Sequence, residues 1–114
     1  MHMNQLDHIF KALADPTRLR ILNCLLEAPG CVCELEPSLE LPQPLISRHL
    51  AYLRNAGLVR DQRQGTRVNY RADMDDGLGR ALKRFLRTIF HAREEYRHDL
   101  KRWRRRAALR KSPR

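Results

Sequence analysis

The chain lacks the segments that would send it into or across a membrane. Its 114 residues contain no apolar run long enough to span a bilayer, and no signal-peptide pattern opens the sequence. Its three cysteines are too few and too unevenly spaced for the disulfide framework of a small secreted domain. These absences predict a cytoplasmic protein of one domain, whose cysteines would be free thiols in a reducing compartment.

Sequence motifs of common enzyme classes are also missing. The sequence has only five glycines, and they form no phosphate-binding loop. There is no nucleophile elbow and no paired-histidine metal motif on one predicted helix. The sequence therefore predicts a binding protein and not an enzyme.

The formal net charge of the chain is +10, and two zones with few acidic residues carry much of the positive charge. Residues 101–114 hold eight Lys or Arg and no acid, and residues 48–71 hold six Arg and one Asp. Clustered positive charge of this kind is typical of proteins that bind nucleic acid. For the C-terminal zone alone, a solvated surface is an equally good interpretation.

Three short helices are expected in the first third of the chain. Apolar residues recur at helical spacing in residues 4–13. They recur again after Asp15-Pro16, where aspartate suits an N-cap and proline suits the first helical position. A further short helix is expected between residues 31 and 41.

A fourth helix, after Pro42, has the pattern of a DNA-recognition helix. One face is apolar, with residues at helical spacing: Leu45, Ile46, Leu50 and Leu53. Other faces carry hydrogen-bonding groups, and Gly57 stands where a glycine commonly ends a helix. Two short strands, 58–63 and 66–71, follow and are joined through Gln64-Gly65. The expected fold is mainly α with a small β-hairpin, a winged helix-turn-helix.

The C-terminal third shows one long apolar stripe at spacings of three and four residues. Its members are Leu78, Leu82, Phe85, Ile89, Ala92, Tyr96, Leu100 and Trp103. The stripe predicts a single long helix, longer than a domain of this size easily covers. We therefore expect a homodimer formed through the terminal helices; a helix packed on its own domain is the alternative. The expected division is a DNA-binding and dimerisation domain in residues 1–100 and a basic tail in residues 101–114.

Three motifs together resemble the ArsR/SmtB family of metal-sensing winged-helix repressors. They are Ala14-Asp15-Pro16-Thr17-Arg18-Leu19-Arg20-Ile21-Leu22, Cys31-Val32-Cys33-Glu34-Leu35, and Ser47-Arg48-His49-Leu50 with Leu53-Arg54-Asn55-Ala56-Gly57-Leu58-Val59. The resemblance implies a homodimer that binds a palindromic operator in double-stranded DNA and leaves it when an inducer binds. The Cys-Val-Cys motif is similar to that of the arsenic- and antimony-responsive members.

Six residues are candidates for contact with DNA. The first turns of a recognition helix face base edges, and glutamine and arginine can each bind a base through two hydrogen bonds. Arginines beside a wing turn are placed to reach phosphates or the minor groove. The candidates are Gln43, Ser47, Arg48, His49, Arg63 and Arg67. His49 has two alternatives, a phosphate contact or packing inside the domain.

Cys31 and Cys33 are the candidate ligands for arsenite or antimonite, since thiolates prefer soft ions. Residues i and i+2 lie about 200° apart on a helix. If a helix begins near Cys31, ion binding must unwind its first turn. Pro37 favours instead a start near Glu36-Pro37, which leaves both cysteines in a loop.

The third ligand and the inducer itself stay open at this point. The third cysteine common in the arsenic-responsive members is replaced here by Glu36. Cys24, Glu36 or a solvent oxygen could complete the site, although Cys24 also fits a small buried residue. A divalent soft metal (Cd, Pb or Zn) or thiol oxidation is an alternative signal. A structural DNA-binding protein without an inducer is the alternative from another class.

Overall fold

The computed structural model describes residues 6–111, which fold into six helices and one hairpin. The elements are α1 (Leu6–Leu13), α2 (Pro16–Glu27), α3 (Val32–Leu39), α4 (Gln43–Asn55), β1 (Val59–Gln64), β2 (Arg67–Ala72), α5 (Gly77–Ala92) and α6 (Glu94–Lys111). This is the predicted winged helix-turn-helix, mainly α with a small antiparallel hairpin. Among the described helices, none is both long enough and apolar enough for a membrane crossing.

The predicted start of α2 is confirmed. The Asp15 carboxylate accepts a hydrogen bond from the Arg18 amide at 3.0 Å, and Pro16 follows as the first helical residue. This capping satisfies an amide that the helix itself leaves unpaired. The first predicted helix is observed as α1, although its residues 4 and 5 lie outside the described residues.

Gly57 ends the recognition helix α4 as predicted. Its φ of 81° lies in the left-handed region, where a side chain would be strained. The Gly57 amide donates to the Arg54 carbonyl, and the Leu58 amide donates to the Leu53 carbonyl, both at 3.0 Å. These two bonds form a Schellman motif, which turns the chain directly into the wing.

The wing is a two-stranded antiparallel hairpin whose turn lies one residue later than predicted. Gln64 pairs with Arg67, so the turn residues are Gly65 and Thr66. Gly65 takes the positive φ of 64° that this tight turn requires. The inner edge of the wing is tied to the domain, because Gly30 and Tyr70 exchange backbone hydrogen bonds of 3.0 and 2.7 Å.

The prediction of a single long C-terminal helix is wrong. The helix breaks at Arg93, whose extended backbone (φ −116°, ψ 132°) separates α5 from α6. The break lets Tyr96 fold back on Phe90, with ring centroids 4.6 Å apart. The Tyr96 carbonyl accepts a hydrogen bond from Asn23 of α2 at 2.9 Å. No proline or glycine marks this break in the sequence.

The second half of the apolar stripe packs inside its own domain, against the expectation that it forms a dimer surface. Helix α6 lies on α2 and α3, and it buries Tyr96, Leu100 and Trp103. The Trp103 indole N–H donates to the Ala28 carbonyl at 3.1 Å. Residues 101–111 therefore continue α6, while 112–114 lie outside the described residues. The proposed domain division at residue 100 remains a prediction.

A buried carboxylate fixes α6 in place. Asp99 is 1% exposed, and Arg20 of α2 binds it through two hydrogen bonds of 2.7 and 2.9 Å. Arg102 adds a third bond of 2.8 Å. The Asp99 hydrogen bond raises the pKa of Arg20. Because both arginines also donate to backbone carbonyls near the end of α3, the network joins three helices.

Candidate DNA-binding and sensor sites

Helix α4 turns one face to the core and leaves another exposed. Ile46, Leu50 and Leu53 are fully buried, which fixes the rotation of the helix. The exposed side presents Gln43, Ser47 and Arg48 near the N-terminal end of α4. Arg48 forms no ion pair with any described residue. The structure therefore leaves these three side chains available to a partner.

His49 points the other way, into the contact between α4 and α2. Its Nδ1 lies 3.3 Å from the Arg18 guanidinium and 3.9 Å from the Asp15 carboxylate, and its side chain is only 14% exposed. Burial alone would raise the pKa of Asp15, but the Arg18 amide and the charges of His49 and Arg18 outweigh burial and lower it. The packing alternative for His49 accordingly agrees with this geometry.

Arg18 is a structural residue that the sequence reasoning missed. It donates to the Ala12 carbonyl at 2.8 Å and to the Lys11 carbonyl at 3.1 Å, which caps the end of α1. Its guanidinium also lies 4.0 Å from the centre of the Tyr52 ring in α4. One side chain thus joins α1, α2 and the recognition helix. The Asp15-to-Arg18 spacing was visible in the sequence, but the Tyr52 contact was not.

The two candidate arginines of the wing differ in their partners. Arg63 is exposed and pairs with no acid among the residues that the structure describes. Arg67 instead lies against α3, where its Nη2 donates to Glu34 Oε1 at 2.6 Å. Arg54, at the end of α4, pairs with Asp61 of the wing at 3.7 Å. In this structure, therefore, Arg63 alone of the two is without an acidic partner.

The cysteine pair stands at the start of α3, contrary to the start near Glu36-Pro37 that Pro37 suggested. Cys31 is the N-cap, with extended backbone (φ −97°, ψ 168°), and Cys33 lies in the first turn. The two residues form a disulfide in this structure, so the free thiols expected in a reducing compartment describe the reduced form of the protein. Because the N-cap is not helical, the 200° separation does not apply. The two sulfurs meet without unwinding α3, so the predicted unwinding is not required.

The three candidates for a third ligand lie in different surroundings. Cys24 is fully buried in the core, and burial raises the pKa of its thiol. Glu36 is exposed, and its Oε2 accepts the Gln43 amide at 3.1 Å, at the N-terminus of α4. Solvent reaches Cys33, which is exposed, whereas Cys31 is buried. Among the described residues, no three His, Cys, Asp or Glu side chains are already grouped for a metal ion.

Glu34 is the second residue that the sequence reasoning missed. Its Oε1 accepts the Cys31 amide at 3.1 Å as well as Arg67, and its Oε2 lies 2.6 Å from Nε of Arg110. Although charged, Glu34 is only 7% exposed. A glutamate three residues after an N-cap often binds back to the cap amide. The Cys31-x-x-Glu34 spacing was therefore a readable signal for the first of these contacts.

Comparison with known proteins agrees with this architecture. Residues 15–61 match the family model described as bacterial regulatory protein, arsR family. The arsenic resistance transcriptional regulator ArsR1 of Pseudomonas putida is 56% identical over 64 residues, which are 55% of this chain and 50% of that protein. The solved structure of HlyU from Vibrio cholerae is 34% identical, with a TM-score of 0.68. That match covers 78% of this chain and 97% of HlyU.

This chain belongs to the ArsR family. A third similar protein is the homodimeric winged helix-turn-helix DNA-binding domain of Mb0332 from Mycobacterium bovis, a possible ArsR-family transcriptional regulator. It is 30% identical with a TM-score of 0.67, over 76% of this chain and 79% of that domain. The chain spans about half the length of the Pseudomonas relative that it matches.

The arsR-family match covers some candidate residues and not others. It includes both cysteines and the whole of α4, but it ends at residue 61, before Arg63 and Arg67. Arg67 and Arg110, which contact Glu34, therefore lie outside the residues that the family model matches. These contacts are features of this chain's own structure.

Proposed function

We propose that this ArsR-family chain is a dimeric transcriptional repressor that binds an inverted-repeat operator and is released by arsenite or antimonite. The observation that carries the proposal is the placement of Cys31 and Cys33 at the start of α3, the helix that precedes the recognition helix. Glu36, one turn after Cys33, hydrogen-bonds the first amide of α4. A structural change at the cysteines can therefore reach the recognition helix α4 through α3 and the hydrogen bond between Glu36 and Gln43.

The DNA contacts are assigned by exposure. Gln43, Ser47 and Arg48 face outward near the N-terminal end of α4, which is the part of a recognition helix that meets base edges. Arg63 of the wing supplies a phosphate or minor-groove contact. His49 supports the helix from behind through Arg18.

The dimer is proposed to use α1 and α5. Leu6 and Phe10 of α1 are 42% and 56% exposed, and Phe85 of α5 is 61% exposed. Leu6 and Phe10 lie one helical turn apart on the same face of α1, and adjoining exposed apolar side chains mark an interaction surface. The domain of Mb0332 is homodimeric, which supports the same assembly here. A two-fold dimer presents two recognition helices, so its operator is an inverted repeat.

The inducer site is proposed to be the reduced cysteine pair with Glu36 or a solvent oxygen as third ligand. Each thiol replaces one hydroxide of arsenous acid and releases one water. Soft trivalent arsenic favours sulfur over carboxylate, which makes the two cysteines the essential donors. If Glu36 turns toward the ion, it leaves the Gln43 amide, and the first turn of α4 loses a hydrogen bond.

Arsenite binding can be tested without DNA through Trp103, the only tryptophan. Its ring is buried beside Gly30, next to Cys31; a Cβ on Gly30 would lie 2.8 Å from Trp103 Cζ2. We expect arsenite to change the fluorescence of the reduced protein with saturation at one ion per chain. The Cys31→Ser/Cys33→Ser variant should show no change, and Cys24→Ala should behave like wild type. A response that survives the double substitution contradicts the assigned site.

A second candidate signal is thiol oxidation, because Cys31 and Cys33 lie close enough to form a disulfide. Cadmium, lead and zinc remain candidates through the same thiols. Fluorescence and DNA binding measured with arsenite, each divalent metal and a dithiol reductant separate these signals. If none of these compounds changes the affinity for DNA, the result would favour a structural DNA-binding protein without an inducer.

A further inference from the structure

Glu34 is an unusual residue for its position, because it is a buried carboxylate that no catalytic or metal role explains. Its two oxygens are used by three donors, the Cys31 amide, the Arg67 guanidinium and the Arg110 guanidinium, at 3.1, 2.6 and 2.6 Å. Each donor belongs to a different part of the molecule. The first is the cysteine pair, the second is the wing, and the third is the last helix.

Arg67 is held in place by more than Glu34. Its Nε donates to the Asn69 side chain at 3.0 Å, and Asn69 in turn donates to Gln64 at 3.1 Å. Arg67 lies beside the turn of the wing, where an arginine would otherwise extend toward a phosphate. Its guanidinium is directed instead to a carboxylate whose side chain is only 9% exposed.

Releasing Arg67 to DNA leaves the buried Glu34 carboxylate with one cation fewer. The Arg67 side chain is 42% exposed, but Glu34 is buried, and a buried charge that loses a partner remains desolvated at a cost in free energy. A DNA phosphate must therefore compete with Glu34 for the same guanidinium. Arg63 has no such competitor among the described residues.

We propose that Glu34 withholds Arg67 from DNA, so that the protein binds with fewer wing contacts than its sequence offers. Because Glu34 Oε1 accepts both the Cys31 amide and Arg67, the contact between Glu34 and Arg67 lies directly beside the proposed cysteine sensor. The proposal rests on the DNA-binding part of the proposed function. It does not depend on which inducer acts or on the operator sequence, because a phosphate contact is the same on any duplex.

The test is binding of the protein to a random-sequence duplex of about 20 base pairs across a range of salt concentrations. Removing the Glu34 charge with Glu34→Gln should free Arg67, tighten binding by about two- to fivefold and steepen the salt dependence by about one unit. Adding Glu34→Gln to Arg67→Ala should give no gain, because the arginine that gains the phosphate is absent. The matched control is Glu27→Gln, which removes a carboxylate that pairs with Arg104 of α6 and should leave binding unchanged.

A gain that persists without Arg67, or an unchanged salt dependence in Glu34→Gln, overturns the proposal. If Glu34→Gln does not fold, NMR of the arginine side chains in the wild type gives the answer. Added duplex should shift the Arg63 signals and leave the Arg67 signals in place; a shift of Arg67 overturns the proposal. Wild-type protein that binds duplex but shows no sequence preference and no inducer response refutes the proposed function alone.

Discussion

The N-terminal part of the outer face of α4, together with Arg63 of the wing, differs from the contact between α3 and α6 in the partners of its arginines. On the first, Arg48 and Arg63 are exposed and pair with no described acid. On the second, Arg102 and Arg110 bind the buried carboxylates Asp99 and Glu34. The same residue type therefore fixes structure in one region and is left for an outside partner in the other. A net positive charge in the sequence does not make this distinction.

The largest effect should come from a substitution at the contact between α3 and α6, where the arginines are paired with buried carboxylates. Asp99→Asn leaves Arg20 and Arg102 without their shared carboxylate; because both guanidiniums are partly exposed, the loss is set by their hydrogen bonds to a charged group, about 1.5–3 kcal/mol. We expect a loss of that size in the free energy of unfolding, measured by urea denaturation. The matched control is Glu94→Gln, an exposed acid of α6, which should change stability by less than about 0.5 kcal/mol. Equal stability of Asp99→Asn and wild type would mean that the network does not hold α6.

The second largest effect should come from a substitution on the outer face of α4. It should lower the affinity for DNA and leave the stability of the fold unchanged. Arg48→Ala is expected to weaken operator binding at least about tenfold, which corresponds to the roughly 1–3 kcal/mol of a good base contact. Its unfolding should match wild type, since Arg48 is exposed and forms no ion pair with any described residue. Arg105→Ala, an exposed arginine on α6, serves as the control for loss of charge alone. Wild-type affinity in Arg48→Ala would remove this residue from the interface.

The smallest effect should come from Asp15, the N-cap of α2, which lies in neither of the two regions. Asp15→Ala removes the N-cap of α2 and should cost about 1 kcal/mol of stability at neutral pH. Because the pKa of Asp15 in the folded protein is lowered, its charge stabilises the fold above the ordinary value of 3.8. That stabilisation is lost as the pH falls through the lowered pKa. The difference between wild type and Asp15→Ala should therefore shrink in acid; a constant difference would show that charge is not involved.

Local signals predicted the first helices and the wing well. Asp15-Pro16 and Gly57 mark helix ends through their own backbone chemistry, so no distant contact is needed to place them. The apolar face of α4 likewise fixed which of its side chains are exposed. The exception was His49, whose orientation depends on Arg18 and Asp15 of another helix.

Long-range contacts decided the features that the sequence did not reveal. No helix-breaking residue marks the break at Arg93, which accompanies the packing of Tyr96 on Phe90 and the hydrogen bond from Asn23 of α2 to the Tyr96 carbonyl. The early start of α3 is an exception, because the Cys31 amide bonds to Glu34 only three residues later, a local contact that the Cys31-x-x-Glu34 spacing signals. The burial of Glu34 depends on Arg67 and Arg110, which lie 33 and 76 positions further along the chain.

The most direct test of the proposed function is fluorescence anisotropy of a labelled inverted-repeat operator, selected by the reduced wild-type protein from a random pool, during titration with arsenite. We predict that wild type releases the operator, whereas Cys31→Ser/Cys33→Ser binds it with wild-type affinity and keeps it at every arsenite concentration. Release of the operator from the double variant, or retention by the wild type, would contradict the assignment of Cys31 and Cys33 as the arsenite switch.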